Sequence, residues 1–184
     1  TVDFDGAGAG IQVAGYRQTL GEAREMDKTI EVFAQKPKKG TAAYQNGIAQ
    51  VTAGKALAAA AGQSYVVRVV TNVHGESDHV AKNAAYKDNL LTWQSDYDTD
   101  VKAITGQADS VIMLHTQMSS WTKYNSTTST IPMQQLDATL ASNGKIAMVG
   151  PKYNIEYDAD GVHLTTAGYR HMGEYYAKAY RQII

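Results

Sequence analysis

The sequence predicts an α/β fold built on a mostly parallel sheet, and three observations carry the prediction. Three short runs, 65–73 (YVVRVVTNV), 110–115 (SVIMLH) and 145–150 (KIAMVG), are β-branched or apolar almost without a break. Continuous apolar character over so few residues marks a strand covered on both faces, the condition of a parallel sheet. The stretches between them carry apolar residues at helical spacing, so strand and helix alternate, and such alternation requires right-handed crossover connections. The 184 residues, 43% hydrophobic and 19% charged, suit one globular domain with a substantial core.

Taken in order, residues 2–4 read as a short strand followed by a glycine cluster at Gly6, Gly8, Gly10 and Gly15. Residues 16–40 are mixed and charged, with Pro37 and Gly40 as punctuation. Residues 41–61 read as a helix whose small-residue face carries Ile48, Val51 and Leu57 among alanines, with Gly62 as its stop. After the first buried strand a long helix runs from Asp78 or His79 to about Gly106, and Leu90, Tyr97 and Ile104 recur on it every seven residues. Residues 117–130 are polar and read as a loop containing Trp121 and Tyr124. Pro132 suits the first turn of a helix through Ser142, which Asn143 and Gly144 end. Thr165 or Thr166 caps a final helix striped by Met172, Tyr176, Ala179 and Ile183. The stretches expected to be buried in the sheet are 66–70, 111–114 and 146–149.

Composition excludes several functions. Lys plus Arg (17) nearly balances Asp plus Glu (18), for a net charge of −1, so the basic surplus of a nucleic-acid binder is missing. No apolar run approaches the roughly 18 residues of a membrane span, and no membrane partner is expected. Cys is absent, which removes disulfides, thiolate nucleophiles and thiolate metal ligands. The run Gly6-Ala7-Gly8-Ala9-Gly10 after a strand invites a nucleotide-binding reading. Val13 stands where the fingerprint needs Gly or Ala, however, and no clean apolar helix follows, so no cofactor is expected. The opening Thr1-Val2-Asp3-Phe4 has neither the Met nor the basic stretch of a signal peptide.

Ligands of parallel α/β sheets bind at the carboxyl ends of the strands, so chemistry is sought in the segments that follow them. Asp160 and His163 lie three apart in one such segment, next to Gly161. A carboxylate so placed can accept from one imidazole nitrogen and leave the other as general base for a hydroxyl. Asp160 could equally cap the last helix, with His163 a surface residue. The segment His74-Gly75-Glu76-Ser77-Asp78 follows the first buried strand. Gly75 allows close approach of backbone to ligand, and Asp78 could cap the helix that follows. His74, Glu76 and Asp78 as metal ligands lack a second convincing His partner, so no metal is expected.

VTNVHGESD and YDADGVHLTTAGY together resemble two motif blocks of the SGNH (GDSL-like) hydrolase superfamily. The likeness is to its carbohydrate-esterase and sialate O-acetylesterase-like branches and extends from about Gly40 to the C-terminus. It implies a flavodoxin-like three-layer αβα sandwich and ester hydrolysis through Ser, His and Asp. In this chain it makes His163 the general base and Asp160 its orienting carboxylate. It assigns Gly75, Glu76 and Asp78 to the third block, and a glycine such as Gly10 to the block whose backbone N–H helps bind the oxyanion.

The sequence departs from the family at two places. His74 stands where those branches have Gln, and Ser77 where the wider family has Asn, so His74 or Asn72 is left as the side-chain oxyanion donor. No nucleophile turn of the G-D-S or G-Q-S kind follows a first strand in 1–15. Gly62-Gln63-Ser64 has the letters, but it follows a helix and precedes a strand, and Ser77 and Ser119 sit on no family nucleophile position. The expectation is therefore a single SGNH-like domain over 1–184, incomplete at its N-terminus, with the Ser supplied by an upstream segment or a second chain. Its activity would be removal of acetyl or similar acyl groups from a carbohydrate, with Trp121 and Tyr124 stacking on sugar faces. The alternative is a catalytically inactive glycan-binding or structural module. By analogy with where polysaccharide esters are met, the protein is expected to be extracellular, periplasmic or virion-associated.

Overall fold

The computed structural model describes residues 38–183, so the expected strand at 2–4 and the glycine cluster with Gly10 lie outside the described residues. A 3-10 turn at Lys38–Gly40 leads into α1 (Ala42–Ala60), which Thr41 caps by accepting from the Tyr44 N–H at 3.3 Å. The first strand, β1 (Val69–Asn72), is followed by a short α2 (Glu76–Val80) and the long α3 (Tyr86–Thr105). Next come β2 (Ile112–Gln117), a 3-10 turn at Trp121–Tyr124, α4 (Ile131–Ala141), β3 (Ile146–Pro151) and α5 (Thr166–Ile183). The three strands form one parallel sheet in the order β1-β2-β3.

Alternation along β2 sends Met113 and His115 to one face and Leu114 and Thr116 to the other, and all four are buried. The first face meets α3 and α4 in a core of Tyr86, Leu90, Met113, Met118, Ile131, Ala138 and Ile146. Full burial of each large member stabilises the fold by about 2 kcal/mol. A second cluster, Val51, Val101 and Val111, fastens α1 to α3. On the other side α5 packs on β2 and β3, and its Tyr176 hydroxyl donates to the carbonyl of Asn72 at the end of β1. Helices thus cover both faces, giving the three-layer α/β sandwich expected.

Two expectations are corrected. The first strand begins at Val69 rather than 65 or 66, and Val66 is 51% exposed. The side chain of Gln107 explains the late start. It accepts from the Val67 N–H and donates to the Val67 carbonyl, both at 2.9 Å, so an amide side chain replaces the neighbouring strand there. The expected helix from 78 to 106 is two helices, because Lys82 takes a left-handed φ of 52° and breaks the run. Asp78 consequently stands at neither N-cap, those being Gly75 and Ala85. It sits inside α2, buried, and accepts from Asn83 Nδ2 at 2.6 Å.

β3 carries one structural irregularity. His115 pairs with Met148, but Thr116 pairs with Gly150, so β3 holds an extra residue at that point. A bulge of this kind re-aims the side chains beyond it, here those of the segment starting at Pro151.

Candidate active site

Beyond β3 the chain folds back on itself. Tyr157 and Leu164 form an antiparallel bridge, and the Asp158 N–H donates to the His163 carbonyl at 2.9 Å. Gly161 closes the turn with a left-handed φ of 69°. Inside it, Asp160 Oδ1 accepts from the N–H groups of Val162 (2.8 Å) and His163 (2.9 Å), an Asx-type turn that orients the carboxylate. The other oxygen, Oδ2, lies 2.5 Å from His163 Nδ1.

Burial works to raise the Asp160 pKa, but the His163 ring and the two N–H donors outweigh it and hold the carboxyl at about 2. Such a carboxylate only accepts, so Nδ1 carries the proton, and in the neutral ring the lone pair is then on Nε2. Among the described residues nothing hydrogen-bonds Nε2, and both side chains face solvent. The Asp160–His163 contact expected from the sequence is therefore present.

The segment after β1 is built around Gly75, whose φ is 130°. A Cβ there would lie 3.0 Å from Ile131 Cγ2 and Met118 Cβ and 3.1 Å from Gln135 Nε2. The backbone is pressed against the core, which only glycine permits. Gln135, buried in α4, donates to the His74 carbonyl at 2.9 Å and accepts from the Met118 N–H at 2.8 Å. One side chain thus joins the segments leaving β1 and β2. The ring of His74 turns toward the core: Nδ1 is 3.0 Å from the Tyr86 hydroxyl and 3.5 Å from Asp78 Oδ2, with Trp93 edge-on. Burial pushes the Tyr86 phenol far above its ordinary range, so it remains a neutral hydrogen-bonding group.

Glu76 does not face this cluster. Its Oε1 accepts from Ser120 Oγ at 3.1 Å and from the ammonium of Lys152. Ser119 Oγ and Tyr157 Oη are 2.7 Å apart, which links the end of β2 to the base of the Asp160–His163 hairpin. Lys123 lays its stem along Gly161, since a Cβ on that glycine would meet Lys123 Cδ at 3.4 Å. Through Lys123 the 3-10 turn bearing Trp121 and Tyr124 touches the dyad turn. Trp121 is half-buried against the main core, and Tyr124 is exposed with its ring 5.8 Å from that of His79. Both nitrogens of His79 are engaged, Nδ1 by Ser129 Oγ at 2.9 Å and Nε2 by Ser126 Oγ at 3.1 Å.

Ser64 is exposed in the segment that leads into β1, at the other end of a strand from Gly75. Among the described residues no three His, Asp or Glu side chains gather as metal ligands. The sequence reading gave no role to Lys152, Ser120 or Tyr157. Lys152 directly follows the third strand, so the rule that directs attention to strand ends already included it, but no motif singled it out.

The chain matches the family described as carbohydrate esterase, sialic acid-specific acetylesterase, over residues 28–182, most of its length. The chain belongs to this family. Comparison with curated proteins and with solved structures returns no match. Both segments that carried the resemblance in the sequence, 70–78 and 157–169, fall inside the matched region of the esterase.

Proposed function

We propose that this esterase removes O-acetyl groups from a carbohydrate, a sialic acid ester being the substrate that the family description favours. The observation that carries the reading is His163, seated on an ionised Asp160 with Nε2 open to a hydroxyl. In this reading a serine from outside the described residues, in an upstream segment or a second chain, meets Nε2. His163 takes the hydroxyl proton as the oxygen attacks the acetyl carbonyl. It returns that proton to the departing sugar oxygen, and water then releases acetate by the same route in reverse. Backbone N–H groups at Gly75, and at a glycine such as Gly10, hold the developing oxyanion. Trp121 and Tyr124 flank the sugar. By analogy with where carbohydrate esters are met, the working protein would be extracellular, periplasmic or virion-associated.

The test is to assay the 184-residue chain, and the same chain with its native upstream sequence, on p-nitrophenyl acetate and on an O-acetylated sialic acid. Acetate release that His163→Ala abolishes supports the reading, and release that survives the substitution refutes it. Release abolished by Ser64→Ala would identify a nucleophile at the wrong end of a strand and overturn the proposed geometry. Retained sugar binding with no release from either the shorter or the longer chain favours the inactive glycan-binding alternative.

A further inference from the structure

Glu76 opens α2 after β1, Ser120 follows β2, and Lys152 follows β3. The Ser120 hydroxyl and the Lys152 ammonium donate to one and the same oxygen, Glu76 Oε1. One carboxylate therefore ties together the segments that leave all three strands. Lys152 is 3% exposed at its side chain and Glu76 15%. The bulge in β3 re-aims the chain just before Lys152.

Burying an ion pair is an inefficient way to stabilise a fold, since apolar residues of equal volume do as well or better. The position of this pair suggests another use. Glu76 is the residue after Gly75, whose backbone N–H the acetylesterase reading assigns to the oxyanion. An unneutralised carboxylate there, itself largely buried, would oppose the oxyanion's charge.

We propose that Lys152 is a positioning residue of the esterase. It neutralises Glu76 and, with Ser120, holds the three post-strand segments in the single arrangement that keeps the Gly75 turn receptive to an oxyanion. The proposal rests on the acetylesterase reading above, and its test separates the two.

Three variants of the chain in its active form are compared with wild type: Lys152→Met, Lys152→Met combined with Glu76→Gln, and Ser120→Ala. Amide hydrogen exchange is followed in 75–80, 119–124 and 152–157, with kcat and KM measured on p-nitrophenyl acetate. Lys152→Met is expected to speed exchange in all three segments by about tenfold while α1 and α3 hold. It should lower kcat by about tenfold or more with KM within about threefold, the signature of a contact used in the transition state. The double variant lacks both charges and should recover most of the lost kcat. Ser120→Ala, which leaves the ion pair in place, should loosen 119–124 alone. If Lys152→Met does not fold, Lys152→Gln, which keeps a donor to Glu76, takes its place.

A kcat within about twofold of wild type in Lys152→Met, or a double variant as slow as the single one, overturns the proposal. A wild type without esterase activity refutes the acetylesterase reading instead. Exchange then decides the tie between segments, and unchanged rates in all three would overturn it.

Discussion

Asp160 spends both carboxylate oxygens on its own turn, two backbone N–H groups on one and an imidazole on the other. With its carboxyl held at about 2, it is ionised throughout the range in which the protein would be assayed. The pH–rate profile on an aryl acetate should therefore contain no step from Asp160 above about pH 3. Asp160→Asn removes the charge that stabilises an imidazolium and disturbs the tautomer. It should lower kcat by about 10³-fold or more, measured at saturating substrate. Gly75→Ala forces a Cβ into Ile131, Met118 and Gln135 at a φ of 130°. Strain and overpacking together should cost about 2–4 kcal/mol in urea unfolding. The dyad was legible in the sequence because its members are three residues apart on a glycine turn, where local rules suffice. Lys152 was not, because its partner lies 76 positions away and no local pattern predicts that pairing.

Among the elements, β2 and α4 are joined by a buried histidine. His115 Nε2 is 3.1 Å from Thr139 Oγ1, and burial lowers its pKa from 6.5 to about 4. Between those values the unfolded chain binds a proton that the folded chain refuses. Stability is thus undiminished by this group above about pH 6.5, falls as pH drops, and has lost about 3 kcal/mol near pH 4. Urea midpoints measured from pH 7.5 to 4 should show that slope, and His115→Leu should flatten it. Gln107 does for Val67 what a strand would do, and that is why periodicity overextended β1: the apolar letters run on, but the partner of Val67 is a side chain. Gln107→Ala should speed exchange of the Val67 amide and lower stability by about 1–2 kcal/mol. The break between α2 and α3 was equally hidden, since lysine at a left-handed position carries no signal of its own. The remaining helices and strands fell near their expected places because each carries its own period or cap, as Thr165 does for α5 by accepting from the Gly168 N–H at 3.0 Å.

At the scale of the whole molecule, β2 is hydrogen-bonded on both sides, whereas β1 pairs with one strand among the described residues. Amides of 113–115 should accordingly be the last to exchange, after those of 69–72 and 146–149, in native-state hydrogen exchange followed by NMR. The two halves of the candidate site differ in how they are assembled. The Asp160–His163 contact spans three residues and needs only the closing of a short loop, an event of tens of nanoseconds that costs little chain entropy. The Glu76–Lys152 contact spans 76 and waits for all three strands to dock. A chain still folding, or partly unfolded by mild denaturant, would already have its imidazole seated on the carboxylate while the surrounding rim was unformed. On the proposed mechanism, turnover should then vanish well before the NMR signals of the His163 ring change, because the Asp160–His163 contact belongs to a short peptide and the rest of the rim to the entire fold.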